Sequence, residues 1–479
     1  MDVSLDLMGQ TPFVGRAEEM ARLTRHLSAA VAGEARLLSV RGRRQAGKSR
    51  LVSEFVQRSG LPSLFVTGAR QATIQRDLDG FVEDARLECT LPGADLLMGG
   101  AYRNWEQALR AVHAALPTDA PSIVVLDELP WLLERDPGLD GTLQKLWDRL
   151  FESRPVLMIL IGSDLAVMEM LTGHDRPLFG RVKEMVVTPF LLGDTARMLG
   201  IPSDRAAEAF DAQLVTGGYP RLLLEWRRHQ GLDAFLDDQF ADDNTELVVI
   251  GQRVLDAEFP RDLQASDVLR TIGAGERAHS AIAGRAGLAA TPLSRTLRLL
   301  ADKRVIAVDQ PVSVKSSNVP RYRIADPYLR FWLRFVEPGI NDIQRGRSDL
   351  ARARVSASWA HYRGRAVEPL VREALTRLAA SDPVLGGAET VGGWWPRGNI
   401  PEVDLVGVRS SAPPKAVTFI GSIKWRDSAP FSQADLDELL TSRTAVPGAT
   451  AATPVAVGRT TCTATGVAFY DPRRLMSAW

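Results

Sequence analysis

The chain has 479 residues, enough for about three domains, and 45% of them are hydrophobic and 24% charged. This composition is that of a globular protein and excludes a disordered or low-complexity one. No apolar run approaches the ~18 residues that a membrane-spanning helix needs. Two cysteines are too few for a disulfide framework or a metal knuckle. The first ten residues carry Asp2 and Asp6 instead of the basic start of a signal peptide. We therefore expect a cytoplasmic, soluble protein with no membrane partner.

The net charge is zero, with 58 Lys and Arg against 58 Asp and Glu, but its distribution along the chain is uneven. Residues 260–365 contain 19 Lys and Arg and 9 Asp and Glu, a net charge of +10, so the remainder carries −10. A basic segment in a neutral chain favours a local polyanion-binding face. Solvated helix faces would give the same excess, and charge alone does not separate the two interpretations.

The first part of the chain, residues 12–194, alternates short apolar runs with helix-length stretches. Strands that are nearly all apolar are typical of a parallel sheet covered by helices on both faces. We expect a doubly wound α/β domain with the P-loop NTPase sheet. The predicted strands are residues 37–40, 64–66, 123–126, 157–161 and 185–187.

The rest of the chain is predicted as four segments. Residues 195–258 have a helical pattern, and we assign them to a helical lid. Residues 259–330 are predicted to form a winged helix, because three helices are followed by two β-like runs that a polar loop at 315–318 joins. A linker (331–354) leads to a separate α/β unit (355–479) with the order helix, strand, strand, helix, strand. The predicted helices of the winged helix are 267–273, 279–287 and 292–303, and its strands are 305–308 and 322–324.

A phosphate-binding loop follows the first predicted strand. Residues 42–49 fit G-x-x-x-x-G-K-[ST] at every fixed position and open a helix, which is the context that the motif requires. Backbone N–H groups in such a loop face the phosphates of ATP, the lysine neutralises them, and the Ser hydroxyl binds Mg²⁺. The alternative, a chance glycine-rich turn, is disfavoured because motif and context agree. The candidate ligands are Gly42, Arg43, Arg44, Gln45, Ala46, Gly47, Lys48 and Ser49.

Two polar positions at later strand ends extend this site. Asp127 and Glu128 end the apolar run 123–126, where Asp127 can hold Mg²⁺ and Glu128 can polarise the attacking water. Ser163 follows the next strand and can orient that water. The alternative for Ser163 is a plain N-cap of the helix at residues 165–171.

Several short motifs together resemble the archaeal-type ATPases, a branch of the signal-transducing (STAND) P-loop ATPases related to AAA+ proteins. The likeness covers nearly the whole chain. Members of that group often end in a restriction-endonuclease-like domain of the PD-(D/E)XK type, and residues 355–479 look like one. The motifs are residues 13–16 (FVGR), 127–131 (DELPW), 162–163 (GS), 177–181 (PLFGR), 217–220 (GGYP) and 322–332 (YRIADPYLRFW).

The resemblance implies further roles around the nucleotide. The segment Phe13, Val14, Gly15 and Arg16 would lie against the adenine, and Pro220 would close the other side of that pocket. Arg181 would act on the γ-phosphate, in cis or from a neighbouring subunit of a homo-oligomer. The alternatives are a surface salt bridge for Arg181 and a competing role for Arg221.

Basic residues on the predicted winged helix are candidates for contacts with duplex DNA. Arg295 and Arg298, with Lys303 and Arg304, belong to the predicted recognition helix, and Lys315, Arg321 and Arg323 to the wing. The alternative is a winged helix that serves only as a packing or regulatory module.

For the terminal unit, the resemblance implies a Mg²⁺-dependent nuclease site at Glu368, Asp404 and Lys424. Ser422 stands where the family pattern has an acidic residue, so cleavage is in doubt. Glu402 points to the same strand face as Asp404 and is either a replacement ligand or a solvated charge.

The main hypothesis is therefore an ATP-binding and ATP-hydrolysing P-loop switch that couples nucleotide state to a DNA-contacting winged helix and a nuclease-like domain. One alternative is a DNA-binding regulator that uses ATP as a ligand without turnover. Another is a Mg²⁺-dependent nuclease gated by ATP.

Overall fold

The structure is a computed structural model that describes residues 13–70, 73–258, 263–315, 319–411 and 415–479. The predictions made for the first ten residues, for the domain start at residue 12, for residues 259–262 and for the wing residues 316–318 lie outside these ranges.

The five apolar runs near the start of the chain form one parallel sheet with the order β2-β3-β4-β1-β5. Every residue of the two strands β3 and β4 is buried, as expected for strands covered on both faces. The edge strand β5 differs from the prediction, because it begins three residues earlier and exposes Lys183, Glu184 and Val186. The strands are β1 (Arg36–Arg41), β2 (Ser63–Thr67), β3 (Ser122–Asp127), β4 (Val156–Gly162) and β5 (Val182–Val186).

Helices cover both faces of this sheet and create two apolar cores. Val124 belongs to one core and its neighbour Val125 to the other, which follows from the two-residue period of a strand. The predicted α/β sheet with two helical layers is therefore confirmed. The helices are α1 (Ala17–Val31), α2 (Lys48–Ser59), α3 (Ile74–Glu88), α4 (Ala94–Met98), α5 (Trp105–Ala115), α6 (Leu129–Arg135), α7 (Leu139–Arg149) and α8 (Leu165–Leu171).

The chain divides into two units between Pro189 and Phe190. The second unit begins with helices, and its largest core includes residues from the predicted lid, winged helix and terminal segments. The finer division into those segments remains a prediction. The helices up to residue 302 are α9 (Leu192–Leu199), α10 (Ala206–Thr216), α11 (Pro220–Arg227), α12 (Leu232–Gln239), α13 (Glu246–Glu258), α14 (Leu263–Gly273), α15 (His279–Ala286) and α16 (Ala290–Asp302).

The helices α14, α15 and α16 are followed by two antiparallel strands, β6 (Ile306–Asp309) and β7 (Arg321–Ile324). This is the predicted element order, and α14 begins four residues before the predicted helix. The chain continues through α17 (Pro327–Phe331), a π-helical turn (Trp332–Val336), α18 (Ile340–Gln344) and α19 (Ser348–Ala366).

The terminal segment contains a second five-stranded sheet with the order β12-β11-β10-β9-β8. Three antiparallel strands precede the helix α21, whereas the sequence predicted two. The short run β8 was missed because it contains two adjacent glycines, which weaken a strand pattern. The elements are α20 (Glu368–Leu378), β8 (Thr390–Trp394), β9 (Val403–Arg409), β10 (Ala416–Lys424), α21 (Gln433–Arg443), β11 (Thr453–Gly458), β12 (Ala468–Tyr470) and α22 (Pro472–Met476).

Over the described ranges, no helix combines the length and the apolar character that crossing a membrane would require.

Candidate functional site

The loop between β1 and α2 has the backbone of a phosphate cradle. A Cβ atom on Gly42 would lie 2.0 Å from the carbonyl oxygen of Val187, so only glycine fits there. Gly47 has φ 88° and precedes the first residue of α2, while Gln45 adopts φ 62°, an uncommon value for a residue with a side chain. Ser49, in the first turn of α2, is exposed, so its hydroxyl is open to a ligand.

Lys48 lies across this loop. Its Nζ donates hydrogen bonds to the carbonyl oxygens of Gly42 (2.9 Å) and Arg43 (3.0 Å). Burial lowers the pKa of Lys48 to about 8, although the nearby carboxylates of Glu128 and Asp127 act in the opposite direction. The ammonium group therefore remains protonated at neutral pH and can neutralise phosphate oxygens.

The ends of three neighbouring strands bring the other predicted residues to the same edge. β4 lies between β1 and β3, and all three strands are parallel. Asp127 ends β3 with its carboxylate accepting a hydrogen bond from the N–H of Glu128 (2.8 Å). Ser163 follows β4, and its hydroxyl donates to the Glu128 carboxylate at 2.9 Å. Arg44 of the loop lies 5.7 Å from the ring of Trp131, just after this acidic pair.

The alternative interpretation of Ser163 as a helix cap is wrong. The cap of α8 is Asp164, whose carboxylate accepts a hydrogen bond from the N–H of Val167 at 3.0 Å. Ser163 is 6% exposed and directs its hydroxyl to Glu128 instead.

The segment before α1 contacts the phosphate loop through Arg16. The sequence alone did not indicate this contact. Arg16 is 4% exposed and its guanidinium donates to the carbonyl oxygen of Ala46 at 2.6 Å. It adopts φ 63°, directly after Gly15 with φ 72°. Val14 is half-buried, and the Phe13 ring lies 5.2 Å from the guanidinium of Arg58, near the end of α2. The predicted contact of this segment with adenine stays a prediction.

Arg181 lies at the end of the sheet where β1 and β5 begin, opposite to the end that carries the phosphate loop. Val182 pairs with Leu37 at the start of β1, whereas the phosphate loop begins after the end of β1. At ~3.3 Å per residue this separates Arg181 from the loop by about 20 Å along the strand. Its guanidinium forms a bidentate ion pair with Asp148 (2.6 and 2.8 Å).

In the second unit, the Gly-Gly-Tyr-Pro motif packs against the motif that follows the β7 strand. The Tyr219 hydroxyl donates to the Asp326 carboxylate at 2.6 Å inside the core. Gly218 leaves no room for a Cβ atom, which would lie 2.0 Å from the Phe190 carbonyl oxygen. Pro220 is the first residue of α11, and the predicted competitor Arg221 is ion-paired with Glu246.

The nuclease-like residues line a cavity of about 400 Å³ in the terminal segment. Asp404 accepts hydrogen bonds from the Ser422 hydroxyl (3.1 Å) and the Ile423 N–H (2.8 Å) through the same oxygen. Burial, and secondarily the Glu368 carboxylate, raise the pKa of Asp404 to about 6. Ser422 therefore places a neutral hydrogen-bond donor at the position where the family pattern has an acidic residue.

The neighbouring charges in this cavity are paired within the protein. Glu368 accepts a hydrogen bond from Arg372 (3.0 Å), and Lys424 lies 3.1 Å from Glu438. Glu402 accepts from Arg321 at 2.6 Å, and this ion pair contradicts its interpretation as a solvated charge. In the described part of the chain, no group of three or more His, Cys, Asp or Glu side chains could hold a metal ion.

The predicted DNA-contacting residues divide into two sets. Arg295, Arg298, Arg304 and Lys315 are exposed, and Lys303 is half-buried. Arg321 and Arg323 are not available, because Arg321 is 7% exposed and bound to Glu402, and Arg323 is ion-paired with Asp309.

The segment predicted as the wing contacts the terminal sheet. The Val312 N–H donates to the carbonyl oxygen of Gly393 in β8 (2.8 Å), and Val312 and Val314 pack against the core beneath that sheet. The Trp395 indole N–H donates to the Val319 carbonyl oxygen at 2.9 Å. The described part of the predicted wing thus packs against the terminal sheet, and whether this segment also contacts DNA stays a prediction.

Comparisons with known proteins agree with this fold. Residues 332–438 match a family, DUF234, described as archaea bacterial proteins of unknown function. An uncharacterized protein of Methanocaldococcus jannaschii, MJECL04, is 23% identical over 420 residues, which span 87% of this chain and 88% of the relative.

Among solved structures, the Walker-type ATPase paby2304 of Pyrococcus abyssi is similar with a TM-score of 0.50 at 20% identity. The match covers 67% of this chain and 96% of that one. The Aeropyrum pernix ORC2 protein in its ADPNP and ADP complexes matches with a TM-score of 0.46 at 14% identity over 70% of this chain and 96% of that one. The fold with its parallel five-stranded α/β sheet is therefore similar to that of the Walker-type ATPase of Pyrococcus abyssi.

Proposed function

We propose that the chain is an ATP-binding and ATP-hydrolysing P-loop switch protein that uses Mg²⁺. The supporting observation is the grouping of Lys48, Asp127, Glu128 and Ser163 at one edge of the parallel sheet. Lys48 neutralises the β- and γ-phosphates, and the loop N–H groups bind their oxygens.

The residues present fit a nucleotide-bound Mg²⁺. Such an ion is held by one or two protein oxygens together with phosphates and water, so a cluster of three carboxylates is not needed. The exposed Ser49 hydroxyl and the Asp127 carboxylate are suitable ligands. The bound ion would offset the negative charge that develops on the transferred phosphoryl group.

Glu128 is the group that positions water for attack on the γ-phosphate. The hydrogen bond from Ser163 fixes one of its carboxylate oxygens and leaves the other for the water. Hydrolysis then releases phosphate and alters the contacts of the loop, which is how P-loop proteins change state.

Arg181 is proposed to act in trans. Its distance from its own phosphate loop along β1 argues against action in cis, and a homo-oligomer would present it to a neighbouring nucleotide. The ion pair with Asp148 would hold its side chain at that surface.

The link to nucleic acid is proposed through α16. Arg295 and Arg298 are exposed on this helix, neither has an ion-pair partner among the described residues, and Lys315 is exposed nearby in sequence. Such cations bind phosphates of duplex DNA.

The terminal segment is proposed to be a nuclease-like module that does not cleave. Asp404 accepts hydrogen bonds from Ser422 and Ile423, Glu368 accepts one from Arg372, and the neutral Ser422 hydroxyl stands where a further carboxylate would bind Mg²⁺. The same contacts argue against the alternative of an ATP-gated nuclease.

The decisive experiment for this proposal is phosphate release from ATP by the full chain, with and without duplex DNA. The proposal expects turnover that DNA changes. ATP binding without turnover in both conditions would instead support the regulator that uses ATP only as a ligand.

A further inference from the structure

A second cavity, of about 280 Å³, lies beside the nuclease-like one in the same unit and is lined by arginines. It is formed by residues at the end of α14, in β7 and in α17 and α19. Five arginines line it, against Glu276 as the one acidic side chain among the described lining residues, and Glu276 is ion-paired with Arg285. We call it the arginine cavity. Its arginines are Arg277, Arg323, Arg330, Arg334 and Arg365.

Only part of this positive charge is neutralised by the protein. Arg277 and Arg323 are ion-paired, with Glu402 and Asp309 respectively. Arg330 has no hydrogen bond or ion pair from its guanidinium to any described residue, and this guanidinium lies 5.8 Å from the centre of the Tyr362 ring. Arg365 is exposed and likewise has no ion pair within the described ranges. Arg334 donates a hydrogen bond to the carbonyl oxygen of Ala274 at 3.3 Å. Arg330 and Arg365 therefore remain available to an anion in this cavity.

Tyr362 supplies a second, independent observation. It is 7% exposed, lines the cavity, and its hydroxyl has no hydrogen-bond partner among the residues that the structure describes. A buried hydroxyl without a partner is unfavourable, and such groups in native proteins call for an explanation. Burial raises the pKa of Tyr362, so the hydroxyl is a neutral donor at physiological pH. A donor beside an unpaired guanidinium suits a phosphate oxygen.

The position and size of the cavity indicate which kind of phosphate group it would bind. Arg277, His361 and Arg365 also line the 400 Å³ cavity that contains Asp404 and Lys424. A space of 280 Å³ cannot admit a duplex, and an internal phosphodiester would need an exit for the strand on both sides. A phosphate monoester has a single attachment and carries more negative charge, which matches two unpaired arginines.

We propose that the arginine cavity binds a phosphate monoester, carried either by a free nucleotide or by the end of a nucleic acid strand. The proposal is independent of ATP binding at the phosphate loop and of DNA contacts on α16. Arg330 and Tyr362 bind the phosphate oxygens, and Arg365 stands at the exposed side, where the phosphate would enter.

The test uses the full chain with Lys48→Ala, so that the phosphate loop does not compete. A single-stranded oligonucleotide labelled at its 3′ end is titrated with a 5′-phosphate or a 5′-hydroxyl, and thymidine 5′-monophosphate serves as competitor. We expect the 5′-phosphate to strengthen binding at least tenfold. Competition by the mononucleotide at comparable concentration identifies a free nucleotide as the ligand, and its failure to compete identifies a strand end.

Two variants assign that preference to the cavity. Arg330→Met should abolish the effect of the 5′-phosphate, and Tyr362→Phe should reduce it several-fold. Both should unfold at about the same temperature as the parent without ligand, because neither polar group has a hydrogen-bond partner among the described residues. The control Arg377→Met removes an arginine outside the cavity, paired with Glu373, and should leave binding unchanged. Equal binding of the two oligonucleotides by the parent, or an undiminished preference in both cavity variants, would overturn the proposal.

Discussion

The Ser163 hydroxyl donates a hydrogen bond to the Glu128 carboxylate, with 2.9 Å between Oγ and Oε2. The contact joins the ends of two adjacent parallel strands, β3 and β4. Glu128 also has a left-handed backbone (φ 52°), which is uncommon for a residue with a side chain. The pair is thus a fixed unit at the edge where the phosphate loop lies.

Replacing Ser163 by Ala should slow ATP hydrolysis about 10- to 100-fold, because Glu128 would lose the donor that orients it. ATP affinity should change little, since the hydroxyl of Ser163 donates to Glu128 and not to the loop. Steady-state phosphate release together with equilibrium ATP binding measures the two effects.

Asp164→Ala is the matched control for this variant. It removes the cap of α8 next to Ser163, so it should cost about 1 kcal/mol of stability and leave the turnover rate unchanged. If Asp164→Ala and Ser163→Ala slowed hydrolysis equally, the hydrogen bond to Glu128 would have no specific role.

Arg181→Ala should bind ATP normally and hydrolyse it at least 100-fold more slowly, because the charge that stabilises the transition state is lost. If Arg181 acts in trans, mixing Arg181→Ala with Lys48→Ala should restore activity, since one variant keeps a working loop and the other a working arginine. Phosphate release from the mixture at increasing protein concentration is the measurement.

Exposed Arg149, at the end of α7, provides the control for Arg181. Arg149→Ala should hydrolyse ATP at the wild-type rate. No recovery in the mixture at any concentration would contradict action in trans.

The triple variant Arg295→Ala, Arg298→Ala, Lys315→Ala should weaken duplex DNA binding for all sequences. It should also flatten the slope of log affinity against log salt by about one unit per lost phosphate contact. A control triple, Arg345→Ala, Arg409→Ala and Lys415→Ala, removes three exposed cations elsewhere. Mobility shifts across a salt series compare the two, and identical slopes would show that the α16 face does not bind DNA.

The wild-type chain should not cleave plasmid DNA in the presence of Mg²⁺ and ATP. Ser422→Glu adds the missing carboxylate beside Asp404 and is expected to create cleavage that Asp404→Ala removes. Robust cleavage by the wild type would show that Ser422 does not prevent metal binding.

Asp404 also contributes to the pH dependence of the free energy of unfolding. Because its pKa rises to about 6 in the folded state, the native protein binds more protons than the unfolded chain between pH ~4 and 6. Ionisation of Asp404 therefore costs stability as the pH rises through this window, and the cost persists at pH 7. Asp404→Asn should flatten the pH dependence of the free energy of unfolding in this window.

The arrangement of the proposed nucleotide site could be predicted because its signals are local. The motif at residues 42–49 and the apolar strands each depend on residues close in sequence, and β1, β3 and β4 lie where their patterns indicated. The register of β5, however, depends on its pairing with β1, and this is what separates Arg181 from the loop.

What the sequence missed depends on contacts between distant residues. The partners of Arg16 and Arg321 lie 30 and 81 residues away, at Ala46 and Glu402. The hydrophobic periodicity of a sequence carries no information about such pairs. The sequence therefore predicted Arg321 as a DNA-contacting cation of the wing. The unpartnered hydroxyl of Tyr362 is equally invisible in the sequence, because burial without a partner is a property of the packed structure.

The central claim is that this edge of the sheet binds and hydrolyses ATP, and one measurement tests it most directly. Binding of labelled ATP and release of phosphate are followed for the wild type, Lys48→Ala and Glu128→Gln. Lys48→Ala should lose binding, because it removes the ammonium group that spans the loop. Glu128→Gln should keep wild-type affinity and lose phosphate release. Wild-type ATP affinity in Lys48→Ala, or unchanged phosphate release in Glu128→Gln, would contradict the account.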